Sequence, residues 1–166
     1  KVRLGAQKDG TLLLIEVDST LNTGAYGNHG GEALYAGSVA LGHYRAPVKH
    51  FSGRSVYTNT IPSGALRGYG LPQTLFAVES CMDELALELG VKPSALRRQN
   101  MVGPNDRIVT ISEDPSDVIM GSYGLDQCLD LVEAALARKA DQQGPSGQEW
   151  AVGEGLAIGY HDTVPP

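Results

Sequence analysis

The segment Pro62-Ser63-Gly64-Ala65-Leu66-Arg67-Gly68-Tyr69-Gly70-Leu71-Pro72-Gln73 gathers the residue types best suited to holding a ligand. Glycines let a backbone approach a bound group closely, and a helix starting just after them presents free amides and a positive dipole end to an anion or a polar oxygen. Arg67 adds a fork of donors and Tyr69 an aromatic face. A tight turn whose arginine only covers a surface has the same composition, so the residues alone leave both readings open. The glycines follow neither the phosphate-loop order with Gly-Lys-Ser/Thr nor the dinucleotide order G-x-G-x-x-G.

Other reactive side chains stand more alone. Tyr26 and His29 lie in a glycine loop, and Glu154 and His161 near the end of the chain. None has a partner at a spacing that makes an acid–base pair, and no catalytic role is assigned to them. Cys81 and Cys128 sit in helix-patterned stretches without a second ligand at metal spacing, which excludes a zinc or iron–sulfur site built here. They are expected to be two buried thiols of a cytoplasmic protein. A formal charge of -6 disfavours a phosphate-backbone partner, and no apolar run approaches the ~20 residues of a membrane span. The start at Lys1 and the end at Val164-Pro165-Pro166 read as a piece of a longer chain.

These residues need elements to position them. Val2 to Ala6 and Leu12 to Thr23 flank the turn pair Asp9-Gly10, which predicts a hairpin with one buried face. A glycine loop from Gly24 to Gly31 leads to a short helix from Glu32 to about His43, and Phe51 to Asn59 alternates as a third strand. Pro72 opens the most regular helix, in which Leu75, Val78, Met82, Leu85 and Leu89 form the apolar stripe and Glu79, Asp83 and Glu88 are expected on a solvated face. Pro93 to Asn100 and the stripe Leu125, Leu129, Val132 and Leu136 predict two more helices. After a loop at Gly144-Pro145-Ser146-Gly147, Trp150 to Tyr160 reads as a final strand. Strands and helices without a βαβ rhythm predict an α+β fold.

The loop resembles the Ala-Phe-Arg-Gly-Phe-Gly-Gly-Pro-Gln segment of molybdenum hydroxylase large subunits, the xanthine dehydrogenase and aldehyde oxidase family. The surrounding order is similar too: the Asp9-Gly10 hairpin, Asn22-Thr23-Gly24-Ala25, Asp83-Glu84-Leu85-Ala86 to Gly90, Leu96-Arg97 and Asn100-Met101. The resemblance spans nearly the whole chain. It implies a fragment of a molybdenum-cofactor-binding domain over residues 1–166, with hairpin, strand and glycine loop in 1–62 and the cofactor loop, helices and final strand in 63–166. It further implies that Arg67, Gly68 and Gly70 bind a molybdenum–molybdopterin cofactor, in a dinucleotide form, and that Tyr69 packs on the substrate ring with Leu66 and Tyr35 beside it.

Leu66 stands where purine-oxidising members carry phenylalanine, and Leu71 where the family segment has a glycine next to the helix start. Tyr35 falls near their charge-stabilising arginine; a core tyrosine on a short helix is an equal reading there. The family's general-base glutamate matches no position in this chain, so no catalytic residue and no direct metal ligand is assigned. The partners implied are the rest of the large subunit, iron–sulfur ([2Fe-2S]) and FAD subunits or domains, and a small-molecule substrate. The competing expectation is a non-catalytic domain that binds a small ligand or another protein.

Overall fold

A computed structural model describes residues 1–106, 122–139 and 149–160. The loop at Gly144-Pro145-Ser146-Gly147 and His161 lie outside them. The chain is α+β: a three-stranded sheet with order β1-β2-β3, packed against helices. Strand β1 (Val2–Ala6) and β2 (Leu12–Gly24) form the expected antiparallel hairpin, with Leu4 opposite Ile15. Its turn closes as Asp9-Gly10 predicts: Gly10 takes φ +88°, and the Thr11 amide donates to Asp9 Oδ1 at 2.9 Å. That bond holds the Asp9 carboxyl below its ordinary range.

Helix α1 (Gly30–Ser38) continues as a 3₁₀ turn (Val39–Gly42). The expected single helix to His43 therefore tightens at Ser38, whose hydroxyl donates to the Tyr35 carbonyl at 2.7 Å. Strand β3 runs from Val48 to Tyr57 and not from Phe51 to Asn59. It pairs with β2 in parallel, Leu14 with Val48 and Val17 with Phe51, so the first three residues of β3 gain ladder partners that local alternation does not reveal. Parallel strands need a crossover, and α1 supplies it.

Helix α2 (Leu71–Leu89) has Pro72 in its first turn and ends on left-handed Gly90, whose amide returns to Leu87. Helix α3 (Pro93–Asn100) and helix α4 (Leu125–Lys139) follow. The core joins Leu12, Ile15 and Val17 of β2 to Leu41, Tyr44, Val78, Met82, Ala86, Leu96 and Leu129. Of the expected α2 stripe, Val78 and Met82 are fully buried.

Glu79 corrects the expectation of a solvated acidic face. It is buried, because it lies four residues after Leu75 and three before Met82, inside the stripe itself. Its Oε2 accepts from Arg97 Nε at 2.8 Å and its Oε1 from Tyr44 Oη at 2.5 Å. Arg97, with no exposed side-chain surface, also donates to Asp83 Oδ1 at 2.7 Å and to the Glu79 carbonyl at 3.1 Å. Burial and the neighbouring Glu79 carboxylate push the Tyr44 phenol far above its usual range.

The expected final strand is also corrected. Residues 151–160 run without a ladder, and two of their amides bond to side chains instead: Ile158 N to Glu79 Oε2 at 3.0 Å, and Tyr160 N to His43 Nε2 at 2.8 Å. The expected pair of buried thiols is half right in kind. Both cysteines are free thiols, but Cys81 is half-buried and Cys128 exposed. Leu129 takes the inward direction on α4, and a residue one step away on a helix points about 100° aside.

Candidate functional site

The end of β2 builds one wall. Asn22 Oδ1 accepts from the Gly24 amide at 2.8 Å and the Thr58 hydroxyl at 2.6 Å, while Ser63 donates through Oγ to the Asn22 carbonyl at 2.8 Å. The chain after β3 is thereby tied alongside β2 before it turns into the glycine loop. Gly24 is required at this crossing: its φ is +69°, and a Cβ would lie 2.3 Å from the Ile61 carbonyl oxygen.

The loop then makes three consecutive left-handed residues, Gly68, Tyr69 and Gly70, with φ of +89°, +56° and +105°. Leu66 accepts from the Tyr69 amide at 2.9 Å and Gly68 from the Leu71 amide at 3.0 Å, so the turn feeds directly into α2. A Cβ on Gly70 would stand 2.3 Å from the Ala33 carbonyl oxygen. Only glycine lets this loop lie against α1.

The cleft so formed holds about 170 Å³. Leu66, Arg67, Tyr69 and Gly70 line it with Asn22, Asn28, His29, Ser63 and Gln73. Gly68 is in the turn but does not line it. Its lining contains an arginine, amides and hydroxyls, and no aspartate or glutamate. That is a marked local departure in a chain of net charge -6. Arg67 is exposed and makes no ion pair among the described residues. The cleft is therefore a donor-rich patch suited to an anionic, oxygen-rich group.

Tyr35 is not brought to this cleft. It lines a separate hollow with Leu34, Ser38, Leu41, Lys49, Phe51 and Gly53, because Ala33 is the α1 residue that faces the loop. Leu71 also stays out, packing into the core. His29, to which the sequence assigned no role, does enter: Tyr69 Oη is hydrogen-bonded to His29 Nδ1, and the rings meet edge-on with centroids 5.7 Å apart. Their separation of 40 residues leaves no local signal for the contact. Among the described residues no three His, Cys, Asp or Glu side chains are placed to hold a metal ion.

Residues 1–101 match the family model described as the molybdopterin cofactor-binding domain. The chain belongs to that family. It is 36% identical over 163 residues to the aldehyde oxidoreductase of Megalodesulfovibrio gigas, covering 98% of this chain and 17% of that protein. It is 36% identical over 129 residues to the xanthine dehydrogenase molybdenum-binding subunit of Escherichia coli O157:H7, covering 77% of this chain and 16% of that subunit. Among solved structures, the aldehyde oxidoreductase from Desulfovibrio gigas superposes with a TM-score of 0.72 at 34% identity, over 86% of this chain and 16% of that one. Quinoline 2-oxidoreductase from Pseudomonas putida 86 gives 0.69 at 30% identity, over 82% and 18%. The chain thus spans about one-sixth of the length of these relatives.

The molybdopterin cofactor-binding domain has a donor set that fits its namesake. A pterin with its phosphate is planar and anionic, and the cleft offers Arg67, the amides of Asn28 and Gln73 and the Ser63 hydroxyl, with no carboxylate to repel it.

A second cleft, of about 590 Å³, lies elsewhere, between the hairpin turn and β3, and is lined by Arg45, Lys49, Gln99, Asn100 and Asp106 among others. Burial pushes the Lys49 ammonium down to about 8, with the Asp106 carboxylate opposing that shift. An unfolded lysine keeps its proton to its ordinary 10.5, so between pH 8 and 10.5 the unfolded chain binds more protons and the stability contributed by this site rises with pH. In Lys49→Met that rise is lost. The stability advantage of the variant over wild type, read from urea midpoints near pH 7 and near pH 10 (~3 pH units apart), should shrink with pH; a constant difference contradicts the assignment.

Proposed function

We propose that this chain forms one side of the cofactor and substrate site of a molybdenum-dependent oxidoreductase that hydroxylates an aromatic heterocycle or an aldehyde, with water as the oxygen source. The carboxylate-free, arginine-bearing lining of the Leu66–Gln73 cleft carries this reading. Arg67 and the turn at Gly68 and Gly70 would hold the molybdopterin cofactor, in a dinucleotide form. Tyr69 and Leu66 would form one wall for the substrate. When bound, the cofactor supplies the oxygen-transfer and two-electron redox chemistry; the residues here bind it, orient it and shape the space beside it.

The remainder of the subunit, carrying the general base, and iron–sulfur and FAD domains or subunits that accept electrons are the partners this reading requires. A cytoplasmic setting accords with the free thiols of Cys81 and Cys128, and among the described residues no helix is long and apolar enough to cross a membrane.

The test is to produce the full polypeptide in a host that makes the cofactor and to measure molybdenum per chain and dye reduction with benzaldehyde, quinoline and xanthine. About one molybdenum per chain with turnover is expected; a metal-free, inactive polypeptide favours a non-catalytic ligand-binding domain. Because Leu66 is aliphatic and widely exposed at the mouth of the cleft, an aromatic wall for a purine is missing on that side. Xanthine turnover is expected to be weak beside that of an aldehyde or another heterocycle, by roughly tenfold or more in kcat/KM for one lost aromatic contact of ~1.5 kcal/mol. Efficient xanthine oxidation contradicts this assignment of Leu66.

A further inference from the structure

His29 and Tyr69 are the two non-glycine residues with left-handed backbone among the described residues, at φ 53° and 56°. A histidine or tyrosine holds that conformation only against a steric penalty, so such residues persist where surrounding contacts over-determine them. Here they lie on different elements and touch each other. His29 is the N-cap of α1, and its carbonyl accepts from the Ala33 amide at 3.1 Å. Its side chain makes no cap hydrogen bond. Capping therefore does not account for the ring, which turns instead to the Tyr69 hydroxyl and meets the Tyr69 ring edge-on.

Tyr69 is itself held at both sides by glycine turns and by its amide bond to Leu66. What the loop backbone leaves open is the direction of its ring. The His29 imidazole, which lines the same cleft, closes that freedom.

We infer that His29 is a positioning residue for the ligand cleft: it anchors the Tyr69 ring, and so sets the width available to a planar ligand beside Arg67. This deepens the reading of the cleft as a substrate wall and rests on it. Nδ1 can accept a hydrogen bond from the phenol or donate one to its oxygen, so the anchor needs a hydrogen-bonding atom at that place and not a charge. Asparagine tolerates left-handed φ and places a polar atom near the Nδ1 position, whereas glycine keeps the backbone and removes the anchor.

The test uses the full polypeptide and the variants His29→Gly, His29→Asn and Tyr69→Phe. The first readout needs no cofactor: nitration of Tyr69 by tetranitromethane, mapped by peptide mass and normalised to Tyr57. His29→Gly should raise the Tyr69 ratio several-fold, and His29→Asn should return it towards wild type. An unchanged ratio in His29→Gly overturns the anchor.

The second readout is kinetic, on cofactor-loaded protein with benzaldehyde and quinoline. His29→Gly should raise KM about tenfold with kcat and molybdenum content near wild type. Tyr69→Phe should do the same, and the double variant should add little to either. A changed nitration ratio with an unchanged KM overturns the substrate-wall role while leaving the cofactor reading standing. Loss of molybdenum from wild-type protein would instead sink the proposed function, with the nitration result still deciding the anchor.

Discussion

Replacing Arg97 with alanine is expected to destabilise the 166-residue chain by about 3–5 kcal/mol, the cost typical of removing one partner from a buried ion pair. Arg97 is fully buried and Glu79 nearly so. Without the guanidinium, the Glu79 carboxylate keeps the Tyr44 hydroxyl and the Ile158 amide as donors but loses its compensating charge. Methyl-sized alanine also leaves a void between α2 and α3. For a chain of this size the melting temperature should fall on the order of 10 °C.

Arg98 is the internal control. One residue along the same helix, it pairs with Asp130 and Glu133 at 2.7 Å each on the solvent side, and exposed pairs add little to stability. Arg98→Ala should therefore leave the melt near wild type. The pair Glu79→Met with Arg97→Met should lose less than the sum of the two single changes, because neither charge is then left alone. Equal effects of Arg97→Ala and Arg98→Ala would show that the network carries no special weight.

How far the sequence revealed this architecture depended on whether the deciding contact was local. The hairpin at Asp9-Gly10 and the start of α2 at Pro72 follow from backbone preferences of single residues, and both stand where those preferences put them. The glycine loop was equally legible as a turn, since Gly68 and Gly70 have few other reasons to flank an aromatic residue. The parallel pairing of β2 with β3 was not, because a parallel register is set by residues some 34 positions apart, as Leu14 and Val48 are.

Glu79 was misplaced by treating charge as a marker of solvent. Its spacing from Leu75 and Met82 was the better signal, and Arg97 eighteen residues on was its partner. The extended segment that ends at Tyr160 failed as a strand for a related reason. Alternation says that a stretch is extended and half-buried, but not whether its amides meet a ladder or, as here, the side chains of Glu79 and His43. Tyr35 was assigned by resemblance across a glycine loop. The helix that follows the loop turns Ala33 to the cleft and Tyr35 away from it.

Arg67→Ala carries the largest expected effect on function. Arg67 is exposed and free of ion pairs among the described residues, so its removal should change stability by no more than ~0.5 kcal/mol. In the full polypeptide the same change takes away the permanent positive charge of the cleft, whose other polar lining is neutral amides, hydroxyls and the His29 imidazole. Losing one positioned charged donor to a bound anion typically costs about 2–5 kcal/mol when water is excluded from the contact, and loss of one preorganised donor costs roughly 10²–10³ in rate. Cofactor retention or turnover should fall accordingly while the melt of the metal-free protein stays put.

Molybdenum per chain, measured by mass spectrometry on wild-type and Arg67→Ala polypeptides purified side by side from a cofactor-producing host, tests the central assignment most directly. The expected result is close to one metal per wild-type chain and a small fraction of that in the variant, at equal melting temperature. Equal metal content and equal turnover in the two proteins would contradict the placement of the molybdopterin cofactor at the Arg67 loop.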